Sequence, residues 1–537
     1  MRSGRILTRN RSFAEYPLVA NRFIPSTSQA GDLLDFRIST IDASIILIYI
    51  IATLGLGLWF GRDSNTLARF LVGGRDLPWW VVLGSIIATE TSAVTFLSVP
   101  GLAWAAGGDF GFLQLALGLI IGRLIVVVWF LPSYFKGEIF TAYDVLQQRF
   151  GGLTQRTASL IFVLTRTLAD GLRLYLTALV LGQVSGFDLT LCVLLIAIVT
   201  VVYSAIGGIR SVVWNDCIQL VVYLLGALAA IFVIVSQLPG GWSSLWEFGH
   251  STGRFVIVNR EPFSFQSANL WAGIIGGIFL SLATHGTDQM MVQRYLCSRS
   301  LGQARLAVGL SGPLVALQFA LFLLVGVALA AWMTLLDRPS ELNRDEVFAA
   351  FIVNQMPVGL CGLTLAAVFS VAMSTLSSSL SSSASAVVND FLKPQDTASL
   401  DPEAAAALDQ RLTSASRLWT AIFGGLQMAV AIVVIHVPSL VAASVVHQVI
   451  TVAGFASGLI VGIFLLGRSR RHFAQRSGLI GMVAAFFVTT LLIIPSPRLG
   501  WNLHGWWAAL VASLVCYTVA SVVDRLFPRQ PKAVHQQ

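Results

Sequence analysis

The chain reads as an all-α protein that crosses a membrane many times. Three observations carry that reading. Only 11% of the 537 residues are charged, against about a quarter in soluble domains. Hydrophobic residues make up 56%, and the mean hydropathy is +0.78. The apolar residues also gather into repeated runs of about 20, the length that spans a bilayer core as a helix. The net charge of +8 is no nucleic-acid signal, because the basic residues sit in short loops between the runs. Cys192, Cys217, Cys297, Cys361 and Cys516 are scattered without CxxC or Cys/His spacing, which suits small packing residues. A metal cluster, nucleophile elbow or phosphate loop is also missing from the sequence, so an enzyme is not expected.

Taken in order, residues 1–40 form a polar, Arg-rich, acid-poor extension without an apolar core of signal-peptide length. Thirteen hydrophobic spans follow, at 42–61, 78–106, 113–133, 154–184, 189–208, 212–236, 268–290, 304–335, 359–388, 412–435, 438–466, 478–495 and 502–526. The tail, 527–537, is short and polar. Loop residues 238–267 are expected to fold over the external mouth, residues 343–356 to form a short outer helix halted by Pro357, and 394–410 a surface helix or linker. Orientation follows from the loop cations. Alternate loops hold Arg62, Arg69, Arg75, Lys136, Arg149, Arg156, Arg210, Arg294, Arg299, Arg305 and the arginines at 468–476, whereas the intervening loops hold few, such as Arg254 and Arg260. That asymmetry places the N-terminus outside and the C-terminus in the cytoplasm; the arginines of the extension oppose it, and the agreement of the other loops overrides them. Trp59, Phe60, Trp79, Trp80, Trp501, Trp506 and Trp507 near span ends suit the headgroup zone.

The polar exceptions within spans point to a site. In 373–390, Ser374, Ser377, Ser378, Ser381, Ser382 and Ser385 share one helical face, with Thr375, Ser379, Ser382 and Ser383 beside them. Either that face meets an ion or water, or its small residues pack against another helix. The second span carries Thr89, Glu90, Thr91, Ser92 and Thr95 about 15 Å below Trp80 at 1.5 Å per residue, with Pro100, Gly101, Gly107 and Gly108 behind. An interrupted helix there would free carbonyls for a cation, and a carboxylate at that depth needs a partner. In 154–184, Arg166 and Arg173 lie two turns apart with Asp170 between them. They are either a substrate carboxylate clamp or an internal ion pair that leaves one arginine over. Ser281, Thr284 and His285 precede Gly286 and are further substrate candidates, with packing as the alternative for His285. Asp288, Gln289 and Arg294 fit an inner hydrogen-bond network.

Five ordered segments carry a family resemblance: FLVGGRDLPWW (70–80), FTAYDVLQQRFG (140–151), YSAIGGIRSVVWNDCIQ (203–219), GTDQMMVQRYL (286–296) and LAAVFSVAMSTLSSSLSSSASAVVNDF (365–391). Between about residues 40 and 470 the chain resembles the sodium:solute symporter family, with its sugar, proline, iodide, monocarboxylate and sialic acid branches. The resemblance implies a LeuT-type core of two five-helix inverted repeats, 78–237 and 268–467. A peripheral helix at 41–62 precedes the core and two helices within 478–526 follow it. It implies a sodium ion between core helices 1 and 8, held by the carbonyls of Ala88, Thr91 and Val371 and the hydroxyls of Ser374 and Thr375. A second sodium, as in sialic acid symporters, would take Asp216, Ser374, Ser377 and Ser378. The substrate would lie near Glu90, Ser92, Thr95, Arg166, Arg173, Ser281, Thr284 and His285. The expected activity is Na+-coupled import of a small polar solute, an organic anion such as a monocarboxylate or sialic acid, or an amino acid. It would take place in the plasma (inner) membrane, with lipid around the protein and no nucleic-acid or obligate protein partner. The alternatives are a proton-coupled transporter using Glu90, Asp216 and His285, or a membrane sensor on the same fold.

Overall fold

The computed structural model describes residues 39–258, 262–337, 342, 344, 346–394, 400–437, 458–469, 471, 473–493 and 503–527. These residues are helical apart from turns and one isolated bridge between Leu77 and Ser298. We label the principal helices α1 (Thr40–Gly61), α2 (Trp79–Glu90), α3 (Ala93–Trp104), α4 (Leu113–Tyr134), α5 (Gly152–Ser185), α6 (Leu189–Gln237), α7 (Ala272–Thr287) and α8 (Gln289–Leu296). The remainder are α9 (Leu301–Leu335), α10 (Leu360–Leu392), α11 (Pro402–His436), α12 (Gly458–Arg468), α13 (Gln475–Ile493) and α14 (Gly505–Leu526). Eight helices among the described residues are long and apolar enough to cross a membrane, nine when α2 and α3 count as one bent span. The expected total of thirteen is not reached by this measure. Span 189–208 and span 212–236 run together as α6, span 154–184 (α5) with Arg166, Asp170 and Arg173 within it is not among the nine, span 268–290 is divided between α7 and α8, and residues 438–457 of another span lie outside the described residues.

A 49-residue helix would run about 74 Å, far more than a bilayer, so α6 has to turn. It does so at Gly208, where φ is +60° and ψ −160°. A Cβ there would lie 2.7 Å from the Phe70 carbonyl, and the conformation is one that only glycine takes without strain.

The serine-rich α10 lies at the centre. Every residue from Thr364 to Ala386 is buried, and α10 packs along α6, with α5, α1 and α11 around it. The peripheral α1 also holds the start of α10: Asp42 Oδ1 accepts from the backbone N–H of Gly359 and Gly362, each at 2.7 Å, an anion placed on a helix N-terminus. Outside the core, α13 packs on α14, and Asp524 of α14 accepts from Ala474 N–H at 2.8 Å.

Loop expectations are met in part. Val347–Gln355 is a short helix that ends before Pro357, within the expected 343–356. Arg254 gathers the carbonyls of Ala103, Trp104 and Ala105 at the end of α3, and Phe110 N–H donates to Val256 O at 3.1 Å, so part of loop 238–267 is fastened onto the end of α3. Residues 402–410 are no separate surface element but the first turns of α11. Trp59 and Trp80 are half-exposed as interface anchors should be, but Trp507 is 2% exposed because Phe263 and Phe265 pack on its ring.

Candidate functional site

The break in the first span falls where the polar cluster predicts it. α2 ends at Glu90, Thr91 and Ser92 take extended backbone (ψ 112° and 163°), and α3 leaves at 61°. Ser92 starts α3 by accepting from Thr95 N–H at 3.2 Å, an N-cap. Because α2 stops, the carbonyls of its last turn, Ala88 among them, lose the donors a continuing helix would supply. The Thr91 carbonyl faces α10, with Thr375 Oγ1 at 3.4 Å from it and 3.2 Å from the Val371 carbonyl. Thr91, Val371 and Thr375 are thus brought together. The Thr91 hydroxyl points away, into Gln318 of α9 and Tyr223 of α6 (3.3 Å).

Ser374 turns from this group toward α6. Its hydroxyl donates to Asp216 Oδ1 at 2.6 Å. Ser85 and Thr89 of α2 and Arg294 of α8 reach the other carboxylate oxygen. Ser378 bonds Arg294, Thr89 and the Ser374 carbonyl, and Ser377 donates to the same carbonyl at 3.1 Å. Ser381 and Ser385, further along the stripe, accept from Gln293 and Gln289 of α8. The stripe is therefore a contact surface for α2, α6 and α8 as well as an oxygen source.

A cleft enclosing about 290 Å³ of non-atom space, open solvent included, lies between the break, α5 and α10; it is lined by Ser92, Asp170, Arg173, Thr177 and Thr375 among others. Arg173 pairs with Asp170 one turn before it and keeps 21% of its side chain exposed. Arg166 is not left over, as one arginine of this helix was expected to be. It points away from the cleft and pairs with Asp288, the residue that caps α8 by accepting from Met290 N–H at 2.8 Å. The correction has a simple cause: the i,i+3 partner claims Asp170, so the second cation takes the nearest other carboxylate.

Glu90 and His285 meet each other, but outside that cleft. Glu90 pairs with Arg123 of α4, His285 Nε2 stands 3.1 Å from Arg123 Nη2, and His285 Nδ1 stands 2.8 Å from Tyr295 Oη. Ser281 is fully buried, and Thr284 donates back to the Leu280 carbonyl. Sequence reasoning overlooked Arg123, Gln318, Tyr223 and Tyr295. Arg123 had a signal, being the lone charge in an apolar span opposite an unpartnered glutamate.

A family model of the sodium:solute symporters matches residues 70–484. The chain belongs to the sodium:solute symporter family. It is 28% identical over 451 residues to a sodium-dependent multivitamin transporter of Oryctolagus cuniculus, covering 82% of this chain and 68% of that one. It is 26% identical to a sodium/sialic acid symporter of Proteus mirabilis, covering 91% and 95% of the two chains. A solved structure of a Na+-coupled sialic acid symporter, substrate-bound and outward-open with a novel Na+ site, superposes with a TM-score of 0.80 at 26% identity. That match covers 91% of this symporter and 98% of the solved chain. The protein is accordingly a multi-pass membrane transporter and not an enzyme.

Proposed function

We propose that this symporter imports a small polar solute with sodium by alternating access, and that the solute is an organic anion such as a monocarboxylate or sialic acid, or an amino acid. The observation that carries the reading is the convergence of the Thr91 carbonyl, the Val371 carbonyl and the Thr375 hydroxyl at the end of α2. A hard cation wants such neutral oxygens, and an interrupted helix is the way a membrane protein supplies them at depth. Ala88 and Ser374 complete the proposed ligand set. Sodium there ties α10 to the break and favours the state that accepts solute. Coupling then requires each ligand to bind better with the other present. The cleft beside this group shares Thr375 with it and is also lined by Ser92, and Arg173 gives a carboxylate a guanidinium partner. Thr95 stands behind Ser92 at 3.1 Å.

The engagement of Glu90 by Arg123 counsels against Glu90 as a free proton carrier, which favours sodium over the proton-coupled alternative. The loop charges support an outer N-terminus and a cytoplasmic C-terminus. The test is uptake into proteoliposomes of solutes selected by thermal shift from carboxylates, amino acids, sugars and amines, under sodium or potassium gradients. Accumulation that requires sodium is expected; uptake that follows pH and ignores sodium would overturn the reading.

A further inference from the structure

Asp216 and Arg294 form an ion pair in which both side chains are fully enclosed, with 2.9 Å between Arg294 Nη2 and Asp216 Oδ2. Around the carboxylate stand the hydroxyls of Ser374 at 2.6 Å and Thr89 at 3.3 Å, together with Ser85. A carboxylate ringed by hydroxyls is an oxygen set suited to a hard cation. The cation in that ring here belongs to the chain. Arg294 also donates through Nε to Ser85 at 2.8 Å, through Nη2 to Ser378, and through Nη1 to the Met290 carbonyl. One guanidinium thereby fastens α8 to α2, α6 and α10 together.

Two of the oxygens that Arg294 uses, those of Asp216 and Ser378, belong to the set a second sodium would need, Asp216, Ser374, Ser377 and Ser378. A sodium ion added beside the guanidinium would leave two cations on one carboxylate, an excess buried charge of the costly kind. Ion and guanidinium therefore exclude one another. We propose that Arg294 is a tethered competitor for sodium at Asp216, so that sodium entering there releases Arg294 from Ser85 and Ser378 and loosens α8 from the bundle. In the sodium-free state Arg294 supplies the counter-charge. In the sodium-bound state the ion supplies it, and the inner half of the second broken helix is freed to move. The inference rests on the sodium-symport reading and adds to it a device by which ion binding is converted into helix motion.

Two measurements on the full-length protein in detergent or nanodiscs test it. Arg294→Gln removes the charge while keeping an amide donor. It is expected to lower the half-saturating concentration for sodium, read by radiolabelled sodium binding, by about tenfold, within the usual range of coupling between two ligands. A merely structural role for Arg294 predicts the opposite sign, so sodium binding unchanged or weakened in the folded variant overturns the proposal. Hydrogen exchange on the unaltered protein does not depend on that variant folding: peptides covering Gln289–Leu296 should exchange faster in sodium than in potassium. Unchanged or slower exchange, with sodium binding intact, overturns the competitor role alone. If the unaltered protein shows no sodium binding and no sodium-dependent uptake, the symport reading falls as well.

Discussion

Among the described residues the α2–α3 and α7–α8 pairs are interrupted helices, and the two interruptions are finished differently. At the first, Ser92 caps α3 with a neutral hydroxyl, the Thr91 carbonyl faces Thr375, and Ser92 itself lines an open cleft. At the second, Asp288 caps α8 with a carboxylate that Arg166 neutralises. Tyr134 donates to the Gly286 carbonyl there, and the backbone is buried from His285 to Asp288. One break has oxygens to spare for a ligand; the other has been satisfied by the protein's own side chains. An interrupted helix is thus left open or sealed according to what caps it.

Substitutions that unseal the second break should produce the largest effect. Arg166→Ala leaves Asp288 buried without its cation, and a loss of about 3–5 kcal/mol is expected in chemical or thermal unfolding. Asp288→Ala on top of it should recover part of the loss; equal melting of Arg166→Ala and the unaltered protein would make Arg166 available as a substrate ligand instead. At the first break, Thr375→Ala should leave folding nearly intact and raise the sodium concentration for half-maximal uptake by about tenfold, the cost of one lost contact to a charged group. Unchanged sodium dependence would remove Thr375 from the ion site. Arg173→Gln is expected to reduce the apparent affinity for an anionic solute by about tenfold, measured as a rise in KM, together with a lower melting temperature because buried Asp170 loses its cation. An unaffected KM would point to a neutral solute. Smallest of all, Ser92→Ala should cost about 1 kcal/mol of stability as a lost N-cap.

Much of the first break was legible in the sequence because lipid makes polarity conspicuous. TETS within an apolar span calls for a partner or a site, and the serine face in 374–385 for an ion, water or a closely packed helix. The break at Thr91–Ser92 and the central position of α10 answer to those signals. Partnerships across the sequence were harder. Asp216 and Arg294 were each noticed, yet nothing local says that residues 78 positions apart share one carboxylate. Arg166 was judged against its own helix, where Asp170 stood at the right spacing, and the partner came from another span. Arg123 is the lone charge within LQLALGLIIGRLIVVVWF, and no spacing ties it to Glu90, which lies 33 positions away on another helix. Periodicity reports which face is polar; it does not report which face it meets.

The turn at Gly208 has a consequence for how the molecule tolerates change. Two spans meet there at one residue, with Phe70 pressed against its backbone, so no spare chain lies between them to absorb added length. An epitope tag or a single inserted residue at that corner would rotate everything beyond it, including Asp216, out of register with α10. The same insertion around Gly137, an exposed bend residue where a Cβ would meet open space, disturbs only the surface. Topological labels and reporter dyes belong at such exposed bends, and the Gly208 corner marks a place where insertions and deletions are excluded.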